Sequence, residues 1–340
     1  VSEFHYLHND FSGVRYQNIS EMSQRVITAS EKSGIGLTLL PVLYEHSGVE
    51  RGDLISGQDR FGLKLCEFNK LLEEVISLEN KKGDFHIGVA AHSLRAVRKT
   101  SLKEISKNFF NYPIHIHVAE QIKEVSDIYN AWSKRPIEWM IENLDLNDKW
   151  CLIHCTQMLD YEAKLLAKSG AVIGLCPITE ANLGDGIFNG RNWLEEGGKF
   201  GIGTDSNVKI SLFEELRTLE YSQRLKYKRR IVLKTANKNT IGRSLIDSVL
   251  EGGMLASGRK TGKIQKGYWA DILALDLTSF DYFNLNDNEK LDYLIFSEKD
   301  DVIDSVFSAG RLLVKKGKHI NRKKIITNYK LALHEISKKL

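Results

Sequence analysis

The sequence predicts an α/β fold: a (β/α)8 TIM-like barrel lacking its first strand, followed by the remnant of a small β-sandwich domain. Three observations predict it. Short apolar runs alternate with helical patterns over the first 256 residues. Polar residues stand at the ends of such runs in a fixed order: His117 and Glu120 in PIHIHVAEQ, His154 in WCLIHCT, and Asp205 in FGIGTDSN. From His117 to Asp205 is 88 residues, and a strand-helix-strand unit takes about 30. Roughly three repeats therefore separate them, which fits strands five, six and eight of a barrel.

The elements follow in order. VSEFHY reads as the second half of a strand already under way, and residue 1 is Val, so the sequence predicts that an upstream segment is missing. A polar loop, His8 to Asn18, leads to a helix over Ile19 to Ser33, and GIGLTLLPVLY supplies a buried strand near Gly36 to Leu43. Gln58 to Leu78 has helical periodicity and FHIGVAAHS is the next strand. Ser101 to Asn108 reads as a helix capped by Ser101 with Glu104 three residues on. PIHIHVAE is a strand, Ile122 to Leu144 a helix interrupted at Pro136, KWCLIHC a strand, Asp160 to Ser169 a helix and AVIGLCP a strand. A long loop rich in Gly and Asn, the strand KFGIGTD and a helix over Leu212 to Leu225 complete the series. The seven strands end near Phe4, Leu43, Ala91, Val118, Ile153, Leu175 and Thr204. A closed barrel needs eight, and with His117 on strand five the absent one is strand one.

Residues 1–256 thus read as the barrel, 257–320 as the C-terminal part of a small β-sandwich with short strands divided by Gly turns, and 321–340 as a C-terminal helix. That helix, over Lys323 to Lys339, places Leu331 and Ile336 on its inner face.

At 340 residues the chain suffices for one large barrel or a barrel with a small accessory domain. Charged residues make up 27% and the net charge of +4 is spread along the chain, which argues against a nucleic-acid partner. The cluster Lys226, Lys228, Arg229 and Arg230 reads as a solvated helix end. Cys66, Cys151, Cys155 and Cys176 form no CxxC, which favours a reducing cytoplasm. Cys151, His154 and Cys155 have the composition of a zinc knuckle, but the two Cys lie in or beside a buried strand, where small apolar-like side chains are common. No apolar run reaches the roughly 18 residues a membrane span needs, and no signal peptide is visible. The expectation is a cytoplasmic protein with no membrane partner.

The C-terminal lip of a barrel is where catalytic groups sit. Two imidazoles and two carboxylates there suit a divalent ion such as Zn2+, one per subunit, with a non-ligating carboxylate carrying protons for an activated water. Reading His115 and His117 as a pair on a first strand leaves too little chain before Asp205 for seven more strands. His117 is therefore the candidate ligand, and His115 packs beneath the site.

Beyond the four lip residues, the CPxT segment at Cys176 to Thr179 and the C-terminal GKIQKGYWADILALD give the chain a pattern that resembles the amidohydrolase superfamily, in its mononuclear-zinc aminohydrolase branch. The segments SEFHYLHND, HSLRAV, HIHVAEQIKEV and TEANLGDGIF resemble more closely its members that release ammonia from a linear amidine bearing two carboxylates. The resemblance covers essentially the whole chain. It implies His117 and Asp205 as metal ligands, Glu120 as proton shuttle, and His154 as the group that hydrogen-bonds the water or the attacked centre, with Asp205 accepting a second proton. The family's other two ligands form a His-x-His on strand one, and this chain has no such segment in the right place.

A dicarboxylate substrate calls for a bidentate cation, and Arg95 in HSLRAV, at the lip of strand four, has that chemistry. Tyr6, just past strand two, is a candidate carboxylate donor, with a buried Tyr anchored to backbone as the alternative. Glu180 in TEANLGDG is placed either to pair with the amidine or ammonium or to cap its loop. His92 and His5 also point to the lip, where a lone His is more often structural. The resemblance further implies a homodimer. The rival expectations are an aminohydrolase acting on a heterocycle and a non-catalytic remnant that binds an anionic small molecule.

Overall fold

The fold was analysed in a computed structural model that describes residues 1–49, 52–55, 57–79, 84–278, 282–297 and 302–338. In chain order the elements are β1 (Ser2–His5), α1 (Glu21–Ser33), β2 (Leu37–Leu43), α2 (Leu65–Glu79), β3 (Phe85–Ile87), β4 (Val89–Ser93), α3 (Lys99–Asn108), β5 (Ile114–Val118), α4 (Ile122–Trp132), α5 (Pro136–Asn143), β6 (Trp150–His154), α6 (Asp160–Ser169), β7 (Val172–Leu175), α7 (Pro177–Leu183), α8 (Gly190–Glu195), β8 (Lys199–Ile202), α9 (Leu212–Tyr227) and α10 (Ile241–Ser257). Then follow β9 (Ile272–Leu275), α11 (Asp287–Phe296), β10 (Ile303–Ser308), β11 (Arg311–Lys315), β12 (Lys318–His319) and α12 (Arg322–Ser337).

The strands from β1 to β8 form one curled parallel sheet in the order β1-β2-β4-β5-β6-β7-β8. β3 and β4 run along β2 in succession, its Leu37 to Leu39 and then its Val42 and Leu43. Between them Gly88 donates its N–H to the Leu39 carbonyl. A side chain there would press on Leu40 and the Pro113 carbonyl, so their close approach at this point requires glycine. Burial on both faces explains why β2, β6 and β7 are continuous apolar runs rather than alternating ones. The parallel barrel-type sheet and the second, antiparallel sheet β12-β11-β10-β9 are the α/β architecture expected from the sequence.

β1 pairs with β2 and β8 with β7, and among the described residues these two strands do not pair with each other. α10 lies along β8. A methyl at Gly252 would overlap the Phe200 carbonyl, and one at Gly201 would sit 3.3 Å from the Gly253 nitrogen, so helix backbone rests on strand backbone. The end of α10 reaches the interior: Ala256 packs with Phe4, Cys151, Ile153 and Cys176, and its carbonyl lies 2.7 Å from His115 Nε2.

Several local expectations are corrected. α2 starts at Leu65, not Gln58, because Gln58 to Phe61 form turns in which Gln58 Nε2 donates to Tyr44 Oη. α3 starts at Lys99, and Ser101 lies inside it. Its first turn is capped instead by Glu45 from the loop after β2, which accepts from Arg98 N and from Ser101 Oγ. The loop rich in Gly and Asn contains α7 and α8. The segment 257–320 includes a helix, α11, whose Leu294 and Ile295 join the barrel core. α12 has no buried residue: Leu331 and Ile336 are exposed rather than inward. Among the described residues no helix is long and apolar enough to cross a membrane.

The second sheet is fastened to the base of the barrel through Arg259. Its guanidinium, buried to 6% exposure, bonds Asp84 beside β3 and donates Nε to Asp271 at 2.7 Å. Its carbon stands 4.3 Å over the Trp269 ring. Asp271 also accepts Ala309 N and Thr261 Oγ1, and Arg311 from β11 reaches Asp84 from the other side. Arg259→Ala leaves two carboxylates short of a buried cation, and a loss of about 3–5 kcal/mol of stability is expected. Urea unfolding of the variant against the wild type measures it, and a shift worth less than about 1 kcal/mol would mean that Arg311 alone suffices.

Candidate active site

The lip residues of β5, β6 and β8 converge at the C-terminal end of the sheet, and three of the chain reversals there use backbone that side chains seldom adopt. Ala119, His154, Cys155 and Asp205 have φ of 52°, 71°, 49° and 44°. Such conformations cost on the order of 1 kcal/mol or more each and persist where neighbours hold them. Cys155 N bonds the Val118 carbonyl and Gln157 N the Ala119 carbonyl, so the turns after β5 and β6 are tied together.

His117, the penultimate residue of β5, faces the interior, its ring 4.6 Å from Phe4, 5.4 Å from His92 and 5.8 Å from His154. Nδ1 lies 2.9 Å from the His92 carbonyl, so the proton sits on Nδ1 and the Nε2 lone pair is free to coordinate. Burial, reinforced by the neighbouring His92 and His154, holds the ring neutral by pushing its protonation well below the usual range. His115, two residues earlier on the same face, sits beneath, as expected.

His154 is almost fully buried and stands between two carboxylates: Nδ1 is 3.2 Å from Glu180 Oε1, and Nε2 is 3.8 Å from Glu120 Oε1. Burial alone would lower its proton affinity. The Glu180 hydrogen bond and charge, followed by Glu120 and Asp205, outweigh burial and leave it raised. Of the two roles proposed for Glu180, the loop-capping one is seen, since the same Oε1 accepts Cys176 N at 2.8 Å. Burial likewise raises the Glu120 carboxyl, against the pull of His154 and with the help of Asp185.

Asp205 lies exposed on the lip after β8. Thr179 steadies its neighbours: Oγ1 donates to the Thr204 carbonyl and lies 2.9 Å from Ser206 Oγ. Imidazole and carboxylate are donors a divalent ion accepts, and a ligating His is commonly held through its other nitrogen by a carbonyl, as His117 is. Among the described residues no three His, Cys, Asp or Glu side chains are placed to hold one metal ion together. The donors present therefore fit such an ion as two members of a larger set. Cys151 and Cys155 are buried free thiols of the strand and its turn.

One wall of the mouth is aromatic. Tyr6 faces the Phe61 and His92 rings at 5.7 and 5.9 Å, and Tyr44 lies 4.5 Å from His92. Burial, then the charge of Asp205, makes the Tyr6 hydroxyl a weaker acid than usual. His92 is packed against Ser93 Oγ, and burial takes its pKa down to about 3. His5 departs from expectation: alternation along β1 puts Phe4 and Tyr6 inside and His5 on the opposite face, against His8. Arg95 lies at the mouth, 31% exposed, with Nη2 3.9 Å from Glu124 Oε2.

The sequence reading missed four side chains that hold this arrangement. Glu124 accepts Ala119 N and Glu120 N. Gln157 Nε2 bonds the carbonyls of Glu120 and Asp185, and Gln121 Nε2 bonds Asp185 Oδ1. Glu215 on α9 accepts Ile178 N in the first turn of α7, and burial raises its pKa to about 7. The one sequence signal for any of them is the four-residue step from Glu120 to Glu124.

Residues 16–313 match the family model described as the amidohydrolase family. The chain belongs to the amidohydrolase family. This amidohydrolase is 40% identical over 338 residues to the formimidoylglutamate deiminase of Pseudomonas aeruginosa, covering 99% of the chain and 74% of that protein. It is 30% identical over 260 residues to a 5-methylthioadenosine/S-adenosylhomocysteine deaminase of Clostridium tetani, of which it spans 59%. Among solved structures, an amidohydrolase from Brucella melitensis superposes with TM-score 0.92 at 44% identity, covering 98% of this chain and 73% of that one. A zinc-bound adenosine deaminase from Xanthomonas campestris, at 19% identity and TM-score 0.78, shares the fold. Family and site chemistry together make the amidohydrolase a hydrolase of C–N bonds.

Proposed function

We propose that this amidohydrolase catalyses the hydrolytic deimination of N-formimidoyl-L-glutamate to N-formyl-L-glutamate and ammonia, a step of histidine degradation, with one zinc ion. What supports the reading above all is the 40% identity to the Pseudomonas deiminase along virtually the whole chain. The pocket chemistry agrees with a charged, linear substrate: an arginine and a tyrosine at the mouth, and a buried acid, Glu180, behind the histidine. His117 and Asp205 would hold the zinc, whose Lewis acidity makes water nucleophilic near neutral pH.

The chain's own residues then account for the proton movements. Water adds to the formimidoyl carbon as Glu120 takes its proton. His154, fixed by Glu180, donates Nε2–H to the oxygen and orients it. The bond from carbon to the terminal nitrogen breaks as Glu120 returns the proton to that nitrogen, which leaves as ammonia. Asp205 accepts the second proton of the water as the formyl C=O forms. Arg95 pairs with a substrate carboxylate and Tyr6 donates to one, which sets the reach from anchor to reacting carbon.

Two donors in place of four should weaken zinc by orders of magnitude. Zinc content and ammonia release are to be measured on the 340-residue polypeptide and on any longer product of its gene, with N-formimidoyl-L-glutamate and with S-adenosylhomocysteine. Turnover of the formimidoyl substrate is expected where the ligand set is complete, and little in the 340-residue polypeptide. Rapid turnover by the latter overturns the two-donor argument. Deamination of S-adenosylhomocysteine instead, as in the Clostridium relative, replaces the proposed substrate with a heterocycle.

A further inference from the structure

Glu124 has no part in the chemistry above, yet it is almost wholly buried, on the first turn of α4, directly under the lip of β5. Its two oxygens point in two directions. Oε1 accepts Ala119 N at 3.0 Å and Oε2 accepts Glu120 N at 2.9 Å, and the Gln121 N–H adds to the same carboxylate. These are the backbone groups that carry the Glu120 side chain, and the left-handed turn at Ala119 (φ 52°) is what they hold in place. Oε2 is also 3.9 Å from Arg95 Nη2. Arg95 Nε is buried and has no partner among the described residues, so the guanidinium keeps donors free while one edge faces Glu124. A neutral side chain of the same size would satisfy neither the row of N–H groups nor the cation.

We propose that Glu124 is a positioning residue that couples the two ends of the site, fixing the proton shuttle Glu120 through its backbone and the carboxylate anchor Arg95 through its charge. This rests on the assignment of Arg95 to a substrate carboxylate. One ion pair thus sets the distance from the anchored carboxylate to the reacting carbon, and a substrate one methylene shorter or longer meets a shuttle that cannot follow it.

The test is a double-mutant cycle with glutarate, a dicarboxylate that carries no amidine, its binding to the full chain measured by titration calorimetry. Glu124→Gln is expected to weaken glutarate roughly tenfold in the wild-type background and not to weaken it further in Arg95→Ala. In the zinc-loaded enzyme it should also lower kcat for the formimidoyl substrate in both backgrounds, a split between KM and kcat that a general loss of stability would not give. If Glu124→Gln does not fold, Glu124→Asp, which keeps the charge and withdraws the oxygens, carries the same cycle. Equal weakening in both backgrounds, or no effect on glutarate, overturns the coupling, as does a wild type that does not bind glutarate. Glutarate binding needs no turnover, so failure of deimination with the cycle intact counts against the proposed reaction and not against Glu124.

Discussion

Where the ligand set is complete, Glu120→Gln is expected to cut turnover by about 10²- to 10⁴-fold, the range general acid-base groups supply, with zinc content and fold unchanged. The substitution is nearly isosteric, and the contacts that place residue 120 are made by its backbone: its N–H to Glu124 and its carbonyl to Gln157. What Gln removes is the proton site. Glu120 suits a shuttle because burial raises its carboxyl above the usual range while His154, 3.8 Å away, keeps the charged form accessible. A carboxyl raised in this way holds a proton more readily than a fully solvated carboxylate does, which is what a shuttle requires. Steady-state kinetics beside metal analysis decide it. A fall of less than about tenfold would move the shuttle to another group, and Asp205 would be the first to try.

What the sequence made legible was the part of the fold that follows from local pattern. Buried parallel strands are apolar runs, and a polar residue ending such a run is conspicuous, so His117, His154 and the lips of β5 to β8 were readable to within about two residues. Pattern failed where tertiary contact decides. Ser101 looks like a helix cap, but Glu45, 56 residues away, caps that helix and accepts the serine hydroxyl as well. α7 was hidden by its own Asn182 and the adjacent Gly184, although Pro177 at its first position and the left-handed Gly184 at its end are the punctuation of a short helix. Glu215 and Gln157 bind backbone groups from other elements, and no spacing announces that. The position of His5 along the strand points to the lip, but two-residue alternation from Phe4 puts its side chain on the opposite face.

That face gives His5 a consequence for stability. His5 and His8 are buried together, ring centroids 5.4 Å apart. Burial, and then His8, takes His5 down to about 3. Burial takes His8 to about 4, against the Val42 carbonyl it bonds at 2.9 Å and with the help of Arg15. Both rings ionise near 6.5 when the chain unfolds. Above that pH folded and unfolded chains bind the same number of protons at these sites, and their contribution to stability is complete. As the pH falls from about 6.5 towards 4, the unfolded chain takes up two protons that the folded chain refuses, so unfolding becomes easier by roughly 1.4 kcal/mol per pH unit for each ring. Below the folded values the loss is complete and levels off. His5→Phe keeps the ring packing and removes a nitrogen, Nε2, that has no partner among the described residues. It should therefore flatten the dependence of unfolding free energy on pH by one proton's worth between about pH 6 and pH 5. Urea unfolding of both proteins across that interval reads the difference directly, and parallel curves would mean that His5 is solvated and charged in the folded protein.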